Sequence, residues 1–256
     1  MMFLRDPSAY HGEKNKRPFF EGWYHKLVTD DDQSLAIIPG IYRSGVNNNQ
    51  TVFIMIFDGG NVDVFYERFE VQQFSCSTSS YDLHIGSNYF SSQKIILDIE
   101  SDTLTMKGQV TADNLKPWPV TLLEPGCMGW YAYVPSMECF HGILSMDHSL
   151  DGEIKFNGSH YNFSGGRGYI EKDWGRNFPK NWIWAQSNHF SNNDLSITAS
   201  LATIPWKNTA FAGFIVGLYY NGNLYRFTTY RLSLIHISEP TRRYAISYDV
   251  FCLKKK

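Results

Sequence analysis

Residues Gly168–Phe190 read GYIEKDWGRNFPKNWIWAQSNHF and carry two candidate strands, Tyr169–Asp173 and Trp182–Phe190. In an extended strand, residues two apart share a face. Trp182, Trp184, Gln186, Asn188 and Phe190 therefore lie on one side, and Ile183, Ala185, Ser187 and His189 on the other. Indoles alternating with amides suit a wall that holds a large apolar ligand and orients its polar end. They equally suit a filled core whose amides bond to neighbouring backbone. Tyr169, Glu171 and Asp173 likewise share a face, with the carboxylates roughly 6 to 7 Å apart along the strand. If that face is enclosed, desolvation and like-charge coupling raise one pKa and make a proton donor. In the structural alternative Glu171 pairs with Arg167 or Lys172, and Asp173 caps the Trp174-Gly175 turn with Arg176 balancing it.

Outward from this segment, short apolar runs alternate with Gly, Asn, Asp and Ser, the rhythm of sequential antiparallel strands. The pattern predicts strands at Phe20–Val28, Leu35–Tyr42, Val52–Asp58, Val62–Phe69, Tyr81–Ile85, Lys94–Ile99 and Leu104–Val110. A second series is predicted at Met137–His148, Glu153–Phe156, Tyr169–Asp173, Trp182–Phe190, Ser196–Ile204, Phe211–Tyr219 and Leu224–Tyr230. Asp58-Gly59-Gly60, Asp151-Gly152 and Asn221-Gly222 supply hairpin turns. Between the series, KPWPVTLLEPGCMGWYAYVP (Lys116–Pro135) holds four prolines that would interrupt a central strand. This stretch reads as a crossing between an N-terminal β domain, 1–125, and a C-terminal one, 126–231. Such chains protect their edges by closing into barrels or stacking sheets. The second domain is short for an eight-stranded barrel and is expected to lack its last strands.

In Phe19–Leu27, FFEGWYHKL, alternation places Glu21, Trp23 and His25 on one face. Glu21 is then either an acid in an apolar cavity or a carboxylate satisfied by Arg17, Lys26 or backbone donors. His141, Asp147 and His148 match no established metal-ligand spacing, so they read as satisfied or exposed side chains. Gly165-Gly166-Arg167-Gly168 lacks a following Lys-Ser/Thr and reads as a turn rather than a phosphate cradle. Cys76, Cys127, Cys139 and Cys252 form no CxxC pair, which fits structural thiols in a reducing compartment.

The 256 residues are 16% aromatic and 19% charged, a balance suited to sheets with large apolar faces rather than to a disordered chain. The text LSLIHISEPTRRYAISYDVFCLKKK (232–256) departs from the strand pattern. It resembles the translation of a sequencing-library adapter running into a poly-A tail, and is set apart as an artefactual tail. Without its five basic and two acidic residues the chain carries 18 basic against 23 acidic residues, a net charge of −5. A mildly acidic body argues against nucleic acid as a partner. No run reaches the roughly 18 apolar residues of a membrane span, and the N-terminus lacks a signal-peptide core. The expected location is cytoplasmic.

FFEGWYHKL and GYIEKDWGRNFPKNWIWAQSNHF, in this order, resemble the two hallmark blocks of tocopherol cyclase-like proteins, and a looser likeness runs from Tyr10 to about Tyr230. The resemblance implies an all-β, calycin-like arrangement of two lipocalin-type antiparallel barrels. It also implies closure of a chromanol ring on a prenylated quinol, as in vitamin E biosynthesis, without cofactor or metal. That chemistry needs an acid to protonate an alkene, a wall that tolerates a tertiary cation, and a polar group for the quinol head. Glu171, Asp173 and Glu21 are the candidate acids. Trp23, Trp174, Trp182 and Trp184 would line the prenyl and cation region, Tyr169 would be a further substrate-binding residue, and Gln186 and Asn188 would hold the head. The plant enzymes read EKNWG where this chain reads EKDWG, so an acid at Asp173 does not carry over, which favours Glu171 and Glu21. The partner implied is an apolar small molecule, a prenylated quinol or isoprenoid, compatible with transient membrane contact. A lipocalin-like carrier that leaves such a ligand unchanged is the alternative, and a hydratase adding water to an isoprenoid alkene is a third reading.

Overall fold

The computed structural model describes residues 6–12, 18–46, 49–134, 137–192, 194–206 and 209–231. The expected artefactual tail, 232–256, and Arg17 lie outside the described residues. The all-β expectation holds: the strands pair antiparallel in two sheets. The first half supplies β1 (Phe19–Val28), β2 (Ser34–Arg43), β3 (Gln50–Asp58), β4 (Asp63–Phe69), β5 (Phe74–Cys76), β6 (Asp82–Ile85), β7 (Asn88–Ser91), β8 (Lys94–Glu100) and β9 (Thr105–Asp113). The second supplies β10 (Cys139–Phe156), β11 (Ser159–Asn162), β12 (Arg167–Gly175), β13 (Trp182–Ser187), β14 (Leu195–Trp206), β15 (Thr209–Tyr220) and β16 (Asn223–Thr228).

The larger sheet runs β4-β3-β2-β1-β12-β10-β9-β8-β7-β6-β5, with β11 beside β10; the smaller runs β13-β14-β15-β16. Strands on both sides of residue 126 thus share the larger sheet, and the change of sheet falls between Gly175 and Trp182. The proline-rich stretch does not lead from one sheet to the other. It leaves β9 and returns to β10, which pair with each other from Ser149↔Asp113 to Phe156↔Met106. On the way it buries Trp118 between the sheets, beside Met146 and Tyr169.

The period of two decides what fills the fold. In β1, Phe19, Glu21, Trp23, His25 and Leu27 point to one face, where they join Ile37, Ile41, Ile54, Phe90, Met106 and Ile154 in the main core. Each buried large aliphatic or aromatic side chain contributes about 1.5–3 kcal/mol there. The alternate residues Tyr24 and Lys26 point to the opposite face, against the smaller sheet.

One predicted turn is corrected. Met137–His148 and Glu153–Phe156 are parts of a single 18-residue strand, β10, and Asp151-Gly152 runs straight through it. Gly152 takes φ +123° opposite Val110, and a Cβ there would lie 2.3 Å from the Gln109 carbonyl oxygen. The glycine serves close approach of β9 rather than chain reversal. The other two turn signals do join hairpins, β3–β4 and β15–β16. At the latter Asn221 and Gly222 both take positive φ (48° and 78°), the geometry of a tight primed turn.

Candidate active site

The two sheets are fastened by a polar seam and separated by a cavity. At the seam, Lys26 Nζ donates to Gln186 Oε1 at 2.9 Å and to Asn188 Oδ1 at 3.1 Å. Asn188 Nδ2 donates in turn to Asp147 Oδ1 and to the Gly168 carbonyl, both at 2.9 Å. Arg167 closes the group on Asp147 at 2.8 Å. Burial pulls the Lys26 ammonium down to about 8, with Arg167 adding to the depression and Asp147 opposing it.

Beyond the seam the sheets enclose about 460 Å³, within the range of small-molecule sites. The larger sheet offers Tyr24, Ile38, Phe57, His141, Glu171 and Asp173. The smaller sheet faces them with Trp182, Trp184, Ser200, Ile204, Phe211 and Ile215, and Met128, Tyr131, Phe178 and Tyr230 complete the walls. The lining is mostly apolar. Its charged groups converge on one place, because His141 of β10 is the direct cross-strand partner of Asp173 of β12 and Ile143 that of Glu171.

His141 Nδ1 lies 2.9 Å from Asp173 Oδ1, and His141 Nε2 lies 3.7 Å from Glu171 Oε2. Glu171 Oε2 accepts from the Tyr169 hydroxyl at 2.6 Å and from Trp184 Nε1 at 3.0 Å. Tyr169 also reaches Thr198 Oγ1 at 3.1 Å. Burial raises the Glu171 pKa; nearby Asp173 adds to this, while His141 and the two donors oppose it. Burial alone would lower His141, but Asp173 and Glu171 outweigh it and carry the imidazole up to about 9. The arrangement is a buried carboxyl with a raised pKa beside an imidazole that Asp173 holds and favours in its protonated form.

Oxygen and nitrogen atoms of His141, Glu171 and Asp173 lie within 4.8 Å of one another, a donor set that could hold a divalent cation. Two of its members are already engaged, since Asp173 bonds Nδ1 and Glu171 Oε2 takes two donors. A cation would have to compete with these bonds.

The residues expected from sequence separate into three places. Glu171, Asp173, Trp182 and Trp184 line the cavity, and Tyr169 stands behind Glu171. Gln186 and Asn188 belong to the seam. Glu21, Trp23 and Trp174 lie on the far face of β1 and β12, in the main core. There Glu21 Oε1 meets Lys172 Nζ at 2.5 Å and accepts from the His11 backbone N–H at 3.0 Å. The Lys172 ammonium sits 4.7 Å from the Trp23 ring and 4.9 Å from that of Trp174. Trp23 stacks on Tyr81 and Trp174 on Phe140. Sequence reasoning weighed His141 only as a metal ligand and passed over Tyr24 and Ser200. Its pairing with Asp173 spans 32 residues and leaves no mark in local spacing.

An all-β chain whose two antiparallel sheets flank a mostly apolar cavity, with a buried acid in its lining, has a lipocalin-like fold. The tocopherol cyclase-like family model matches residues 105–247, more than half of the chain, and the chain belongs to that family. Among curated proteins it is similar to "Tocopherol cyclase, chloroplastic" of Zea mays, 24% identical over 277 residues, covering 88% of this chain and 58% of that protein. The "Probable tocopherol cyclase, chloroplastic" of Oryza sativa subsp. japonica is also 24% identical, with 88% and 59% covered. The chain thus spans under two thirds of the length of these relatives. Among solved structures it is similar to an AttH-type protein from Nitrosomonas europaea, with a TM-score of 0.52 and 12% identity over 88% of this chain and 72% of that one. CghA gives a TM-score of 0.52 at 9% identity, over 88% of this chain and 64% of that chain. These two likenesses concern the fold alone. Among the described residues no helix is long and apolar enough to cross a membrane.

Proposed function

We propose that the chain closes an oxygen ring on a prenylated quinol or a similar isoprenoid, with Glu171 as the proton donor. The observation that supports this most is the Glu171 carboxyl itself, buried at the polar end of an apolar cavity and biased toward its protonated form. Membership of the tocopherol cyclase-like family supports this choice of reaction class.

In this reading the Glu171 O–H bond breaks as its proton adds to the less substituted carbon of a trisubstituted alkene. The tertiary cation that forms faces the rings of Tyr24 and Trp184, whose electron-rich faces stabilise positive charge. Its charge is further balanced by the new Glu171 carboxylate, which Tyr169 and Trp184 already hydrogen-bond. The phenol oxygen then bonds to the cationic carbon, and the phenol proton passes to Glu171. Atoms and electrons balance within one substrate, so the reaction is an isomerisation. Asp173 holds His141 Nδ1 at 2.9 Å, which suits it to orienting the imidazole.

Incubation with prenylated hydroquinones of differing ring and tail should yield a product of unchanged mass and altered chromatographic retention. Glu171→Gln should slow turnover by about 10²–10⁴-fold, the usual worth of a positioned acid, with little change in thermal midpoint. Recovery of every quinol unaltered, or full activity in Glu171→Gln, would remove the assignment; a copurifying apolar ligand with no turnover would instead indicate a carrier.

A further inference from the structure

We propose that His141 Nε2 and the Glu171 carboxyl together hold a single ligand oxygen, so that the cavity selects molecules with a hydroxyl on the ring end. The inference rests on reading this cavity as the reacting site, and it names the group that anchors the ligand there. Gln186 and Asn188, the amides that the strand pattern offers for this task, give their carbonyl oxygens to Lys26 and are not part of the cavity lining.

His141 has one nitrogen in use and one to spare. Nδ1 bonds Asp173, which fixes the ring plane. Nε2 is buried, belongs to a side chain that lines the cavity, and has no hydrogen-bond partner among the described residues. A buried nitrogen left so is costly, and such groups are normally completed by water or a ligand. Its nearest acidic neighbour, Glu171 Oε2, is 3.7 Å away, too far for a direct bond. One hydroxyl oxygen about 2.8 Å from Nε2 can bridge to the carboxyl through the oxygen that does not already take the Tyr169 and Trp184 donors. There it would accept from the imidazole N–H and direct its own proton to Glu171. The same contact sets up the ring closure, because the oxygen that must attack and the carboxylate that must receive its proton are then adjacent.

The test is binding, without turnover. A hydroquinone bearing a saturated tail cannot cyclise; the same tail on a ring lacking hydroxyls is its control. Binding is followed by calorimetry and by quenching of tryptophan fluorescence. The expected result is about tenfold tighter binding of the hydroquinone by the unaltered protein, a ratio worth about 1.4 kcal/mol. His141→Leu should bring the ratio near one, and His141→Gln, which keeps a donor, should restore part of it. Equal binding of the two probes by the unaltered protein, which needs no variant to fold, would overturn the inference, as would an undiminished ratio in His141→Leu. Failure of both probes to bind would overturn it together with the cyclase reading. A clear hydroxyl preference in a protein that turns over no prenylated quinol would remove the cyclase reading and leave this subsite standing.

Discussion

Glu21 and Glu171 are carboxylates of comparable burial, 1% and 6% exposed, on neighbouring antiparallel strands, yet they face opposite ways and meet opposite surroundings. Glu21 points into the filled core and is matched by the Lys172 ammonium, which is itself boxed between two indoles. Glu171, the residue before Lys172 in the chain, points into the cavity and is hydrogen-bonded by two neutral donors, with the His141 imidazole 3.7 Å away rather than in hydrogen-bonding contact. Burial alone therefore does not make an acid reactive. A matched charge in a closed core is structural, whereas an incompletely matched carboxyl against open space is available for chemistry.

The sharpest way to break this contrast is Lys172→Met. It should leave Glu21 charged and buried without its cation, a loss of about 3–5 kcal/mol visible in urea or thermal unfolding. The double variant Glu21→Gln/Lys172→Met should regain most of it. If Lys172→Met were no worse than a surface substitution, Glu21 could not be the structural member of the comparison.

Acidification should divide the same two regions. In and beside the core, burial holds His25 at about 3 and His148 at about 4, below the ordinary 6.5. Unfolding frees both to bind protons, so their contribution is intact above pH 6.5 and is lost as the pH falls toward 4, by about 1.4 kcal/mol per unit per histidine. His141 runs the other way. Raised to about 9 by Asp173 and Glu171, it contributes fully below 6.5 and loses its contribution as the pH rises through 9. Unfolding curves from pH 4 to 10 should show an acid loss removed in part by His25→Phe and an alkaline loss removed by His141→Leu. An acid limb unchanged in His25→Phe would count against the buried neutral state.

The smallest expected effect comes from Tyr169→Phe, which removes one donor from Glu171 and costs about 1 kcal/mol of stability. Because that donor favours the carboxylate, its loss should raise the Glu171 pKa further and move the alkaline limb of the rate profile to higher pH. A limb displaced to lower pH would contradict Glu171 as the protonated donor.

Much of this was legible in the chain because strand alternation is a local property. The faces of β1 and β12 follow from single-residue steps, and Tyr169, Glu171 and Asp173 do share a side. The short strands β5, β7 and β11, of three or four residues, were not picked out, whereas β6, equally short, was, because Tyr81, Leu83 and Ile85 alternate with polar residues. Gly152 misled because turn formation and close strand approach both demand a missing Cβ, and only the position of β9 distinguishes them. For Glu21 the sequence offered local cations, but the partner is Lys172, about 150 positions away along the chain.

By itself, then, the sequence determined the all-β class, the family blocks and which side chains share a face, since these depend on residue type and a period of two. It could not determine which face would be packed shut and which left open. That was decided by pairings among β1, β10 and β12 and by the second sheet laid over them. Those long-range contacts gave Glu21 a cation and Glu171 a cavity, and so separated a structural carboxylate from a reactive one.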